Sequence, residues 1–424
     1  MRSAALVAGG AVAAAAALVC GPAPAAAAPS PTPSPSASAA ASPSPSASAS
    51  PSVPPLPAVR QVLDPALSVG GPGLAAMDTL LLDAPAGVPA PPAVRDVAWL
   101  VADADTGEVL AARNPHAHLL PASTLKALTA VHLLPRLDPA AALTATATES
   151  NAEGTRVGMV AGQTYTAKQL FEALVMSSGN DAAYGLAALN GGIATTVTEL
   201  NALARRLGAH DTVVVDPSGL DAPGQRSSAY DLALIGRAAI ANADYVALAT
   251  RKTSTFPSKA VRASRTRPTY AIGNHNRLLW NYPGTIGVKN GFTKAAHRTF
   301  IGAARRGGKT YIVTEMYGTG SSWRPAASLL DWAFAHGDKV TPVGRLVDPG
   351  EVPEPLGAAP VATPVAAAAR AAAADDDTGT VVAALASPNG AVTPSLLPVA
   401  GAAALVALLL ATRLGRGRRP GGRG

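Results

Sequence analysis

Three short segments carry side chains that could act together on a carbonyl group. The first is Ser123-Thr124-Leu125-Lys126. Three residues is about one helical turn, so Ser123 and Lys126 would share a face. A serine hydroxyl is a poor nucleophile until a base takes its proton. A lysine can be that base only where burial or nearby cations lower its pKa toward neutrality. A serine at a helix start also meets free backbone N–H groups and the positive dipole end, which would stabilise an oxyanion. The segment follows Pro121-Ala122 and is the only Ser-x-x-Lys among the eight lysines. In isolation the same pattern also suits an N-cap serine followed by a surface lysine.

The second segment, Ser178-Gly179-Asn180, presents a hydroxyl and an amide together, able to relay a proton and hold a substrate backbone. Alone it is equally an ordinary turn after a helix. The third is Lys289-Asn290-Gly291, within Gly287-Val288-Lys289-Asn290-Gly291-Phe292-Thr293. A strand lysine followed by glycine allows close backbone approach to a bound chain and offers a cation to its carboxylate. Asn-Gly is also the favoured pair of a type I′ hairpin turn. Other chemistries lack their motifs: there is no Gly-x-Ser-x-Gly elbow, no phosphate-binding Walker loop, and no His-Glu-x-x-His among the seven histidines.

The elements that would position these residues can be sketched from periodicity. Val97 to Val101 and Glu108 to Ala112 flank Asp105-Thr106-Gly107, a hairpin signal. Thr124 to Leu134 reads as a helix. Thr166-Ala167-Lys168-Gln169 is a capping box opening a second helix, with Leu170, Phe171, Leu174 and Val175 on its apolar face. A third helix begins with the box Thr196-Val197-Thr198-Glu199 and carries Leu200, Leu203, Ala204 and Leu207 at helical spacing, and Ser228 to Ala241 reads as a fourth. Arg298 to Arg305 and Lys309 to Tyr317 look like strands about Gly307-Gly308, and Ser321 to His336 is an amphipathic helix. Strands at both ends with helices between predict an α+β sheet domain carrying a helical insertion.

The order Ser-x-x-Lys, Ser-x-Asn, Lys-x-Gly, spaced by about 55 and 110 residues, resembles the penicillin-binding and serine β-lactamase superfamily. Pro121 to Lys126, Met176 to Ala182, Asp216-Pro217-Ser218-Gly219-Leu220-Asp221 and Gly287 to Thr293 are similar to the serine-type D-Ala-D-Ala carboxypeptidase family, from about Trp99 to Phe334. The resemblance implies a β-lactamase/transpeptidase-like antiparallel sheet flanked by helices. It makes Ser123 the acylated nucleophile, Lys126 its general base, and Ser178 and Asn180 the proton relay and peptide clamp. Lys289 would bind the substrate carboxylate beside Asn290 and Gly291, and the N–H groups of Ser123 and Phe292 would form the oxyanion hole. The substrate implied is the peptidoglycan stem peptide, with removal of its terminal D-Ala, and β-lactams become covalent inhibitors. No cofactor or metal is implied. Position 290 departs from the family's usual Lys-Thr-Gly, replacing a hydroxyl donor by a longer amide. D,D-endopeptidase action on crosslinks, or a weakly catalytic wall-binding scaffold, are the alternatives. Glu199-Leu200-Asn201 could imitate the deacylating glutamate of a class A β-lactamase, but the box at Thr196 assigns Glu199 to helix capping; slow release of penicillin is expected.

The chain has 424 residues and a formal charge of +7. Five arginines follow Thr412 and a sixth is Arg2, so the remainder is nearly neutral, and no basic patch points to nucleic acid. All 17 aromatic residues lie between Trp99 and Phe334, so that window must hold the core. Residues 1–28 read as a signal peptide, with Arg2, an apolar run from Ala4 to Val19 and Ala25 to Ala28 for cleavage. The single cysteine, Cys20, lies inside it, so the exported chain would have no thiol or disulfide chemistry. Residues 29–92 read as a Pro/Ser/Ala-rich linker, 93–340 as the catalytic domain and 341–395 as a second linker. Residues 396–412 read as a short transmembrane helix and 413–424 as a basic cytoplasmic tail, which places the domain outside the cell membrane.

Overall fold

The computed structural model describes residues 58–260, 266–320 and 323–352. The expected signal peptide, transmembrane helix and basic tail, residues 29–57 of the first expected linker and most of the second lie outside the described residues.

Along the chain, β1 (Leu80–Leu81), β2 (Asp96–Asp103) and β3 (Glu108–Arg113) come first. A 3-10 turn over Ala122–Leu125 then runs into α1 (Lys126–Leu133). The insertion follows: β4 (Ala142–Thr144), α2 (Ala147–Ser150), β5 (Thr164–Thr166), α3 (Ala167–Met176), α4 (Asn180–Leu189), α5 (Ile193–Arg206), α6 (Ala229–Ala241), α7 (Ala243–Ala249), β6 (Thr253–Pro257) and β7 (Thr269–Gly273). After α8 (Arg277–Asn281) the chain returns as β8 (Thr285–Thr293), β9 (His297–Arg306) and β10 (Lys309–Gly318), and ends with α9 (Arg324–His336) and β11 (Gly344–Arg345).

The main sheet has seven strands in the order β1-β3-β2-β10-β9-β8, with β11 beside β3, and every pairing is antiparallel. One face packs on the helical insertion, where Leu100, Ile301 and Ile312 meet Leu128, Leu174 and Ile235. The other carries α9, through Leu329, Leu330 and Trp332 against Trp99, Phe300 and Val313. The α+β class with a helical insertion is therefore the observed architecture. Among the described residues β8 is an edge strand, paired only with β9, and it packs against the 3-10 turn that carries Ser123.

Local signals account for several elements. Thr166 and Gln169 form the expected capping box at α3, and Ser228 caps α6 through the N–H of Asp231. Two readings are corrected. α5 starts three residues before Thr196, behind Gly192, so Glu199 is inside the helix and not at a capping position. Its carboxylate instead accepts from His132 Nε2 at 2.8 Å and from Asn190 Nδ2 at 2.6 Å. The linker boundaries also move. Residues 58–92 lie on the domain, with Leu74 fully buried and β1 paired to β3, and Leu346 and Val347 are buried beyond residue 341.

Candidate active site

Ser123 stands on the 3-10 turn, half-buried and open to one side, while Lys126 one turn on is wholly buried. The turn has an unusual geometry because Ala122 adopts a positive φ of 48°. Two hydroxyls hold it there: Thr124 Oγ1 and Thr299 Oγ1, the latter from β9, both donate to the Pro121 carbonyl, at 2.5 and 2.8 Å. The Ser123 loop is thus tied to the sheet next to β8.

Lys126 Nζ donates to Ser123 Oγ at 2.9 Å, to Asn180 Oδ1 at 2.6 Å and to the Ser218 carbonyl at 2.5 Å. Burial lowers its pKa to about 7, although Asp216 and Asp181 work in the opposite direction. A buried amine that titrates near neutrality, at hydrogen-bond distance from a reachable hydroxyl, satisfies the requirement for a lysine general base.

Asn180 is the first residue of α4 and is oriented from both ends. Its Nδ2 donates to the Glu153 carbonyl at 2.6 Å and its backbone N–H to Thr155 at 2.7 Å. The neighbouring Asp181 carboxylate accepts from the N–H groups of Val157, Gly158 and Met159, which pins that loop over the helix start. Ser178 precedes it in a left-handed turn, φ 62°, and is buried. Among the described residues its hydroxyl makes no hydrogen bond to either lysine.

Lys289 lies on β8 with its side chain buried, and its Nζ donates to the Asn290 carbonyl at 2.8 Å. Burial, and then repulsion from Lys126, holds its pKa well below the ordinary lysine range. Asn290-Gly291 is mid-strand, so the hairpin-turn alternative falls. Gly291 is there because of contact: a Cβ would stand 2.8 Å from the Ser123 nitrogen and 2.9 Å from that of Thr124. Phe292 is exposed beside it.

Asp216 to Asp221 support Lys126 from the loop before α6. Asp216 Oδ1 accepts from the Ser218 N–H at 2.7 Å and from Ser218 Oγ at 2.5 Å, which aims the Ser218 carbonyl at Lys126. Tyr184 donates to Asp216 Oδ2 at 2.7 Å. Gly219, with φ 80°, allows the loop to press on the Ala122 carbonyl. Among the described residues no group of His, Asp and Glu side chains could hold a metal ion.

A buried serine–lysine pair, an amide-bearing helix start and a lysine on a facing edge strand define a serine peptidase of the penicillin-binding class. Over residues 86–318, more than half its length, the chain matches the D-alanyl-D-alanine carboxypeptidase family, to which it belongs. It is 43% identical over 244 residues to the D-alanyl-D-alanine carboxypeptidase DacB2 of Mycobacterium tuberculosis, covering 56% of this chain and 81% of that protein. Identity to DacF of Bacillus subtilis is 28% over 239 residues, 54% of this chain and 60% of the other. Among solved structures, a D-alanyl-D-alanine carboxypeptidase from M. tuberculosis superposes with a TM-score of 0.58 at 41% identity, covering 62% of this chain and 99% of that one. The Streptomyces K15 DD-transpeptidase gives 0.55 at 26% identity, with 58% and 100% covered.

Proposed function

We propose that the chain removes the terminal D-Ala from peptidoglycan stem peptides through an acyl-serine intermediate, from a domain anchored outside the cell membrane. The observation that carries the mechanism is the 2.9 Å contact between a wholly buried Lys126 Nζ and a reachable Ser123 Oγ. Neutral Lys126 takes the hydroxyl proton as Ser123 Oγ attacks the penultimate D-Ala carbonyl. The resulting oxyanion is received by the N–H groups of Ser123 and Phe292. The C–N bond then breaks, and the proton passes to the departing amine by way of Ser178. Water, with Lys126 again as base, hydrolyses the ester and frees the shortened peptide and Ser123.

Binding follows from the edge position of β8. An extended peptide can add to its free side as a further strand, while Asn180 holds the peptide from the opposite wall. The substrate carboxylate supplies the counter-charge that lets buried Lys289 keep its proton beside Lys126. β-Lactams present the same acyl and carboxylate groups and acylate the same serine.

Labelling of the full-length chain by a fluorescent penicillin, with mass spectrometry of D-Ala release from stem pentapeptide, tests this reading. Wild type is expected to do both and Ser123→Ala neither. An unlabelled wild type would instead favour a silent wall-binding scaffold. Fast penicillin turnover would point to a β-lactamase. The anchor is tested by removing residues 396–424, which should release the protein from the membrane fraction into the medium.

A further inference from the structure

Charge is divided unevenly along the folded body. Residues 58–244 carry 18 acidic and 11 basic side chains. The 70 residues between Asp244 and Glu315 then carry 13 Lys and Arg and not one Asp or Glu. The near-neutral total is therefore the sum of an acidic part and a strongly basic one. The basic stretch runs through the β6–β7 hairpin, α8, β8 and β9, so it builds the β8 edge of the sheet and the wall of the cleft that carries Lys289.

Several of these cations are already paired. Arg251 meets Glu172, Arg298 meets Asp96 and Glu315, Arg306 meets Asp331, and Lys309 meets Asp103 and Asp338. Lys252, Arg277 and Lys294 are exposed, and among the described residues none of the three has a carboxylate partner. They lie around one place. Lys252 Nζ stands 5.3 Å from the centre of the Trp280 ring, and Arg277 is one turn before Trp280 on α8. Arg277 lines a cavity of about 540 Å³ with Phe292, Phe300 and Trp323, and no carboxylate lines it. Lys294 follows Phe292 just past the end of β8. The exposed aromatic side chains Tyr270, Trp280 and Phe292 all belong to the same stretch.

We propose that this edge is a docking surface for a linear phosphodiester polymer with sugar or polyol units between its phosphates. Lys252, Arg277 and Lys294 take phosphates along the chain, Arg277 with two parallel N–H donors. Trp280 and Phe292 cover the units between, as aromatic rings do beside cations in grooves that follow a phosphate backbone. The cations ring a concavity, which a flexible chain can enter and a flat bilayer cannot. A bilayer laid on this edge would also cover Phe292 and shut the cleft at Ser123. The proposed anchor follows β11 in the chain, and β11 pairs with β3 at the opposite edge. Four strand spacings, about 20 Å, separate β3 from β8. A polymer held on the β8 edge keeps the cleft beside the matrix that bears it and raises the local concentration of stem peptides, without touching the serine–lysine chemistry.

The test reads binding without turnover, on the full-length chain in neutral phosphatidylcholine vesicles, with fluorescently labelled poly(glycerol phosphate) and varied NaCl. Wild type is expected to bind saturably, with an affinity that falls as salt rises. Lys252→Gln with Arg277→Gln should weaken binding at least about tenfold at low salt and flatten the log–log salt slope by about 1 for each cation removed. Arg60→Gln with Lys339→Gln makes the same charge change on exposed side chains elsewhere and should stay within about twofold of wild type. The basic tail is common to all variants, so their differences read the edge alone. Both double variants should label with fluorescent penicillin like the wild type, which shows them folded. Absent polymer binding overturns the proposal, and so does an equal loss in the two double variants, which would reduce the effect to net charge. Equal affinity for poly-L-glutamate overturns the phosphodiester assignment. Loss of polymer binding when the vesicles contain phosphatidylglycerol would make the edge a membrane surface instead. Absent D-Ala release with polymer binding intact overturns the carboxypeptidase reading and leaves this one standing.

Discussion

At the scale of single residues, the working unit is Lys126 and the three acceptors around its Nζ. Burial removes the water that would otherwise keep the ammonium charged, and this outweighs the attraction of Asp216 and Asp181, leaving a pKa of about 7. In the proposed mechanism acylation needs the neutral amine, so its rate should rise as pH passes upward through 7 and level off above. Asp216 does not touch the nucleophile; it positions the Ser218 carbonyl and opposes deprotonation of Lys126. Asp216→Asn keeps the shape and an acceptor for the Ser218 N–H but loses the negative charge. Lys126 then gives up its proton more easily, and the acid limb of the acylation profile should move to lower pH by roughly half a unit or more. Stopped-flow acylation by a chromogenic penicillin between pH 5 and 9 measures it. A purely structural role for Asp216 would lower the plateau and leave the midpoint in place. Sequence spacing brought Ser123 and Lys126 onto one turn because three residues make that turn. It could not bring in Asn180 and the Ser218 carbonyl, which reach Lys126 across 54 and 92 residues of chain.

Between elements, the decisive contact is that of β8 with the 3-10 turn. Residues of α3 and α6 announced their helices, because a capping box and an N-cap serine act within one turn of chain. α5 was legible as a helix, but not its start, since Thr196 and Glu199 have capping spacing while Gly192 starts the helix earlier and His132 claims the glutamate. Asn290-Gly291 was similarly ambiguous, because strand and type I′ turn use the same pair and only the partner strand decides. The glycine is required by the Ser123 backbone, which no local pattern encodes. Gly291→Ala puts a methyl against the Ser123 and Thr124 nitrogens and Thr299 Oγ1. Either β8 or the turn must then shift, and a displacement of order 1 Å in a catalytic constellation costs about a hundredfold in rate. Penicillin acylation of Gly291→Ala should fall by about that factor. Thermal unfolding should still show one cooperative transition, because β8 is an edge strand paired on one side only.

For the molecule as a whole, both ends of the described chain belong to the folded body. Proline counts alone suggested a spacer up to residue 92, since proline-rich composition disfavours regular structure. Composition is blind to individual anchors, and three are present. Gln61 brackets the loop leading to Ser123, donating to the His116 carbonyl at 3.0 Å and accepting from the His118 N–H at 2.8 Å. The Gly70 carbonyl accepts from the Arg345 N–H at 2.9 Å, and Tyr230 joins Arg345 and Val347 to α6. Leu74 is fully buried in the insertion-side core, beneath Gly344. Removing its isobutyl group should therefore act like any core truncation. Leu74→Ala is expected to cost about 2–5 kcal/mol, which for a domain of this size lowers the Tm by roughly 5–15 °C. Val62, 95% exposed in the same segment, provides the contrast: Val62→Ala should leave the Tm nearly unchanged. Both variants should acylate with penicillin at the wild-type rate at 25 °C, since neither residue contacts Lys126, Asn180 or β8. Scanning calorimetry beside penicillin labelling separates the outcomes: equal Tm values for the two variants would return residues 58–92 to the spacer that composition suggested, and a lowered Tm for Leu74→Ala alone makes them part of the domain.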